Sequence, residues 1–310
     1  METIRALMHE IVDYAGLFPP ASLDMPKTVT NFGAYFAGPD AWALGRLVMP
    51  INRLGEFERY AETLLPKGAR DDTENPWKIT GLSAATGDDE FETELNIIDK
   101  FNERHNDSQS GRAIIDAIEL KTTSANAIEQ ALEMMPDTLF PWFEVPISQD
   151  NRGMLAALSE MESGAKIRTG GVTADAHPTP LAVARFLVHC AAADVPFKAT
   201  AGLHHPFRRH APEVGCHQFG FVNLFIGAAL HFHGQVEQEE LEMLLIDEHP
   251  GNFEFHQTQV SWKGRSIGIG ALREARERFA RSFGSCSFDE PMGDLRALHL
   301  LPAAAAPKGL

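Results

Sequence analysis

Cysteine is scarce in this chain. Its three cysteines, Cys190, Cys216 and Cys286, are odd in number and form no C-x-x-C pair. That excludes a disulfide framework and leaves free thiols in a reducing compartment as the expectation. Long apolar runs are missing too: none approaches the roughly 20 residues that span a bilayer, so no membrane partner is expected. The opening METIRALMHEIVDYAG carries acids and lacks the apolar stretch of a signal peptide, so a cytoplasmic location is expected. Basic residues are in deficit, 27 Lys and Arg against 43 Asp and Glu, for a net charge of -16. A general nucleic-acid binder needs a basic face, and this balance argues against one. An anionic small substrate stays open, because a local basic cluster overrides the global field. No fixed-period repeat or heptad occurs. No G-x-G-x-x-G follows an early strand, which counts against an open dinucleotide-binding sheet.

What is present is a globular composition, 44% apolar and 23% charged over 310 residues. A chain of this length buries roughly three quarters of its unfolded surface, enough to enclose a site. Short apolar runs alternate with helical stretches. The expected strands are residues 11–17, 46–50, 78–83, 114–121, 139–145, 165–168, 195–200 and 283–287, with amphipathic stretches such as 126–135 and 180–193 between them. Alternating strand and helix implies parallel strands with crossover helices, and eight such units close a (β/α)8 TIM barrel. The expectation is one α/β barrel domain over residues 1–301. A helix is expected over 219–231. Residues 235–282 read as a helix-hairpin-helix insertion before the last strand: helix 236–247, hairpin 253–267, helix 271–283. A lid or an oligomer contact would suit it, so a homo-oligomer stays open. Segments 67–76 and 102–111 read as solvated loops, and the tail after Leu301 as disordered.

Four late strands each place an ionisable residue at an inward-alternating position. Ala117, Glu119 and Lys121 share one face of IIDAIELK, and Glu144 sits in PWFEVP. AKIRTGG puts Lys166 and Arg168 on one face, and PFKATAGLHH does so for Lys198 and Thr200. Both lysine strands run into glycine-bearing turns, the punctuation of a strand entering a βα loop. Catalytic groups of barrels come from that C-terminal rim. A single lysine at a strand end is as readily a solvated one; two on consecutive strands, with acids on the two before, favour a functional pair. A free lysine, with a pKa of about 10.4, is almost wholly protonated at neutral pH, yet an amine must shed its proton to attack a carbonyl. A second ammonium about 4 Å away contributes roughly 4 kcal/mol at an effective dielectric of about 20, worth about three pKa units. Proximity of the two lysines would therefore free one amine.

These words resemble the deoxyribose-phosphate aldolase family, class I aldolases on a (β/α)8 barrel. The family's Schiff-base strand K-x-S-T-G is matched by K-I-R-T-G at Lys166–Gly170, and K-x-x-G-G-[IV]-R by K-A-T-A-G-L-H at Lys198–His204. Its I-D-x-V acid falls on Glu119 of I-E-L-K, and its L-E-T on F-E-V at Glu144. Its opening I-D-H-T-L-L-K-P is echoed by V-D-Y-A-G-L-F-P-P, and F-G-x-S-S by F-G-S-C-S at Phe283–Ser287. The resemblance implies that Lys166 forms the Schiff base, that Lys198 lowers its pKa, and that Glu119 relays protons through water. It further implies backbone donors for a substrate phosphate at Gly284 and Ser285. The chain departs from the pattern where Arg168 replaces a serine, Ala201 a glycine and His204 an arginine, and where Glu119 is one methylene longer than Asp. Arg168 adds a carboxylate-binding fork beside Lys166, so a carboxylate-bearing carbonyl compound is expected rather than deoxyribose phosphate.

His204 and His205 follow the Lys198 strand. A general acid/base role suits His204, with His205, Thr200, Arg168 and Asp13 as substrate contacts. No metal is expected, since no H-x-x-x-H lies on a helix and adjacent histidines on an extended turn point apart. No cofactor is expected either. FGSCSFDEP is either a phosphate cradle or an ordinary strand end and helix start, with Asp289 and Glu290 suiting the first turn. Three readings follow: a cofactor-free aldolase-like lyase using a lysine Schiff base; a metal-dependent or lysine-base isomerase or lyase on a carboxylate substrate; and a non-catalytic barrel that serves as a binding module.

Overall fold

A computed structural model describes residues 1–67, 76–85, 87–106 and 111–303. The strands are β1 (Val12–Tyr14), β2 (Leu44–Pro50), β3 (Trp77–Leu82), β4 (Ala113–Lys121), β5 (Phe140–Glu144), β6 (Gly164–Arg168), β7 (Phe197–Thr200), β8 (Arg209–Ala211), β9 (Cys216–Gln218), β10 (Phe253–Phe255), β11 (Gln259–Trp262), β12 (Arg265–Gly268) and β13 (Ala280–Ser285). The helices are α1 (Glu2–Met8), α2 (Met25–Phe36), α3 (Leu54–Ala61), α4 (Asp88–His105), α5 (Ala125–Met134), α6 (Arg152–Leu158), α7 (Pro180–Ala192), α8 (Phe221–Phe232), α9 (Gln238–Leu245), α10 (Ile269–Arg278) and α11 (Asp289–Ala297). Strands β1 to β7 and β13 close a barrel, every neighbouring pair parallel, with β1 joining β13. The chain is a (β/α)8 barrel.

Local chemistry places the helix starts. Asp24, Ser124 and Thr179 each accept a backbone N–H three residues on, at 2.9, 3.2 and 3.2 Å, at the heads of α2, α5 and α7. The strands read as apolar on both faces because one face meets the barrel interior and the other the helices. In β6, Ala165 and Ile167 are fully buried against the outer layer, while Lys166 occupies the opposite face.

Helix α4 runs further than expected, with Asn102–His105 helical instead of looped. Asn102 pairs both backbone groups of Ile115, at 2.8 and 2.9 Å, and Phe101 is buried. The rest of that expected loop (107–110), most of the 67–76 loop and the tail from 304 lie outside the described residues.

The segment before the last barrel strand also differs in detail. Its expected hairpin is a three-stranded antiparallel meander, β10-β11-β12, because the chain reverses twice, the second time at Lys263–Gly264, where both residues have positive φ. The helix expected over 271–283 ends at Arg278, and the barrel strand already begins at Ala280. The insertion sheathes α8. Every residue of α8 from Phe221 to Leu230 is buried, between the barrel, which it meets through Phe221, Phe225 and Phe283, and α9 and α10 on the outside. A helix apolar on all sides requires such a double cover.

Candidate active site

Register brings the ionisable residues together. Lys166 pairs with Lys198 across β6 and β7, and with Glu144 across β5 and β6. Adjacent parallel strands lie about 4.8 Å apart, so in-register inward side chains must touch or repel. Here a chain of alternating charges resolves the crowding. Asp13 Oδ2 lies 2.6 Å from Lys198 Nζ, which lies 2.7 Å from Glu119 Oε1. The other Glu119 oxygen, Oε2, accepts from Lys166 at 2.7 Å. Lys166 stands 2.8 Å from Glu144 Oε2, and Arg168 Nε 3.7 Å from Glu144 Oε1. Three acids and three bases alternate along it.

Small residues make room for this network. A Cβ on Gly45 would sit 2.4 Å from Asp13 Oδ1, and one on Gly164 would sit 2.3 Å from the Trp142 ring. That ring centroid lies 5.9 Å from Lys198 Nζ. Asp13 is fully engaged: Oδ1 accepts from the Arg46 backbone N–H at 2.9 Å, and Oδ2 from Ser282 at 2.7 Å as well as from Lys198.

Burial would raise the Glu119 carboxyl, but the Lys198 and Lys166 charges outweigh it and hold Glu119 down at about 2. Burial also pulls Glu144 upward, yet Lys166 and then Arg168 bring it below the ordinary carboxylate value. For Lys198, desolvation favours the neutral amine, and Asp13 and Glu119 reverse that, leaving its pKa above the usual lysine value. This corrects the expected lysine–lysine effect. The Lys198 charge does not act bare on Lys166, because the Glu119 carboxylate lies between them with one oxygen on each. Glu144 Oε2 is buried, and its 2.8 Å approach to Lys166 is poorly aligned for a hydrogen bond, so charge attraction dominates that contact.

Above the network, at the C-terminal end of the strands, lies a cavity of about 690 Å3. Seven of the expected site residues line it: Glu119, Lys166, Arg168, Thr200, His204, His205 and Gly284. Glu144 is part of the network beside Lys166, with a side chain 20% exposed. Lys198 and Asp13, each 1% exposed, are sealed beneath the cavity rather than facing it. Ser285 is buried in the ladder opposite Tyr14 and also lies off the cavity. Of the two lysines, Lys166 is the one that lines the cavity.

The histidines differ. His205 Nε2 receives a hydrogen bond from Arg209 at 3.0 Å; arginine only donates, so the ring proton sits on Nδ1, which donates to Asp294 at 2.6 Å. His204 Nδ1 meets Glu290 at 3.0 Å, and among the described residues nothing meets its Nε2. The same holds for metal donors: among the described residues no group of three His, Cys, Asp or Glu side chains is placed to hold an ion.

Several participants escape a reading of the sequence. Glu213, Val214 and Gln218 wall the cavity from the β8–β9 hairpin, whereas no residue of 235–282 lines it. Trp142 alternates with Glu144 in β5, so strand parity could have found it. Ser282 pairs with Lys198 in register, but an expected strand start at 283 leaves it outside. Compared with known proteins, the chain matches no family model and no curated sequence.

Proposed function

We propose that the protein is a class I aldolase-like carbon–carbon lyase that captures a small carbonyl compound as a Schiff base on Lys166. The observation that carries this reading is an almost fully buried lysine, 5% exposed, that lines the cavity with two carboxylates within 2.8 Å of its nitrogen. The motif resemblance to the deoxyribose-phosphate aldolase family supports the same assignment.

In the addition step the Lys166 ammonium passes a proton to Glu144, whose Oε2 lies 2.8 Å away with its lone pairs free of other hydrogen bonds once the two groups align, and the freed amine bonds to the carbonyl carbon. The former carbonyl oxygen takes up protons and leaves as water, giving an iminium. The iminium carries the same single positive charge as the ammonium it replaces, so Glu119 and Glu144 stabilise it without rearranging. The bond between the carbons α and β to the iminium then breaks. Its electron pair moves into the iminium to form an enamine, the β-hydroxyl gives its proton to His204 Nε2, and an aldehyde departs. Protonation of the enamine carbon and hydrolysis return Lys166. Arg168, its side chain 51% exposed, offers a fork to a substrate carboxylate.

The test is borohydride trapping with a panel of small aldehydes, ketones and 2-oxo acids, read by peptide mass spectrometry. The expected result is one reduced adduct, on Lys166, absent from Lys166→Arg, which keeps the positive charge and forms no imine. No adduct with any carbonyl, or an unchanged adduct in Lys166→Arg, would overturn the reading.

A further inference from the structure

A second cavity, of about 750 Å3, opens at the opposite mouth of the barrel. Its walls come from α1, α10 and residues of β2, β4, β5 and β13, and five arginines line it: Arg5, Arg46, Arg273, Arg276 and Arg281. In a chain with 43 acids and 27 bases, so many guanidinium groups around one opening run against the composition. Two of the lining acids are already spent. Asp116 takes both arms of Arg46, each at 2.8 Å, and Glu10 takes Lys78 at 3.1 Å. Among the described residues, Arg5, Arg273, Arg276 and Arg281 form no ion pair, and the two remaining lining carboxylates, Glu2 and Glu277, form none either. Four arginines against two glutamates leave a surplus of two positive charges.

The four sites are held in different ways. Arg276 is buried, its guanidinium anchored on the backbone carbonyls of Leu7, His9, Ala280 and Arg281. Those neutral acceptors satisfy its N–H groups without cancelling its charge. Arg5 stacks on the Trp42 ring, 4.5 Å from its centroid. Arg273 and Arg281 are exposed. Burial, and then the like charge of Arg281, push the Arg276 pKa down; burial and Arg46 do the same to Arg281. The positive charge left over after the lining glutamates is relieved by binding an anion.

We propose that this N-terminal mouth is a binding site for a small dianion, a phosphate group or a dicarboxylate, gripped by Arg273 and Arg281 beside the fixed Arg276. Guanidinium forks match both kinds of oxyanion with paired hydrogen bonds. The site is separate from the cavity above Lys166 and does not rest on the carbonyl chemistry. Its floor reaches that network all the same, since Ser282 and Trp142 line it while Ser282 donates to Asp13.

Isothermal titration of the full chain with inorganic phosphate and, separately, succinate at constant ionic strength tests the site. Saturable binding of at least one is expected, weakened about tenfold or more in Arg281→Gln and in Arg273→Gln. Both side chains are exposed, so the variants should fold, and melting curves check that. Arg152→Gln, an exposed guanidinium paired with Asp150 at 2.6 Å and lying off this mouth, should keep the affinity of the unaltered chain. Binding of phosphate alone marks a phosphoryl ligand, and of succinate alone a dicarboxylate. No saturable heat with either, or an affinity unchanged in the Arg273→Gln/Arg281→Gln double variant, overturns the proposal.

Discussion

At Glu119 a single carboxylate faces two ammonium groups, one on each oxygen, inside a barrel. Removing one member of such a buried set costs about 3–5 kcal/mol, because the remaining charges lose their compensation. The network therefore supports the fold, and a variant at Glu119 or Lys198 tests folding before it tests the proposed chemistry. Ala201 is a milder case. It follows the Lys198 strand at φ +64, in the left-handed region where a Cβ costs about 1–2 kcal/mol. Glycine there removes that strain but gives back about 0.4–1 kcal/mol in unfolded-chain freedom. Ala201→Gly should therefore raise stability by up to about 1.6 kcal/mol. A lower urea midpoint in Ala201→Gly would show that the strain account is wrong.

At the scale of elements, the insertion and the β8–β9 hairpin divide two tasks. The insertion covers a helix that is apolar all round, whereas the hairpin walls the cavity over Lys166. The hairpin's ends are close, since Ala211 pairs with Cys216, so the tip residues 212–215, none of them buried, can be replaced by a two-glycine turn that keeps the buried Ala211 in place. That replacement should leave the melting transition nearly intact and speed the acylation of Lys166 by a neutral amine-reactive reagent. Peptide mapping over a time course measures the rate, and an unchanged rate would remove the hairpin from the list of groups that shield the site.

For the whole molecule, the ion network links stability to acid. Glu119 has its folded pKa lowered to about 2 from an ordinary 4.5, and Glu144 is lowered as well. Carboxylates lowered on folding add stability that is complete above their unfolded pKa and drains away as pH falls through the folded value. Urea midpoints should stay level from neutral pH to about 5 and then fall between about 4.5 and 2. A midpoint unchanged across that window would mean that the network contributes nothing to folding.

The eight barrel strands could be read from the chain because apolar runs broken by turn residues signal buried parallel strands, and helices capped by Asp24, Ser124 and Thr179 separate them. Strand parity likewise put Glu119, Lys166 and Lys198 inside, since side chains alternate with a fixed period of two. Sequence could not rank the two lysines by exposure, nor reveal that Glu119 stands between them. Parity says which face a residue takes, while the height of each strand along the barrel axis decides which inward groups touch. Only the closed barrel sets those heights, and so it alone put Lys166 at the cavity, sealed Lys198 and Asp13 beneath it, and gathered Arg5, Arg46 and the three arginines of residues 273–281 at the other mouth.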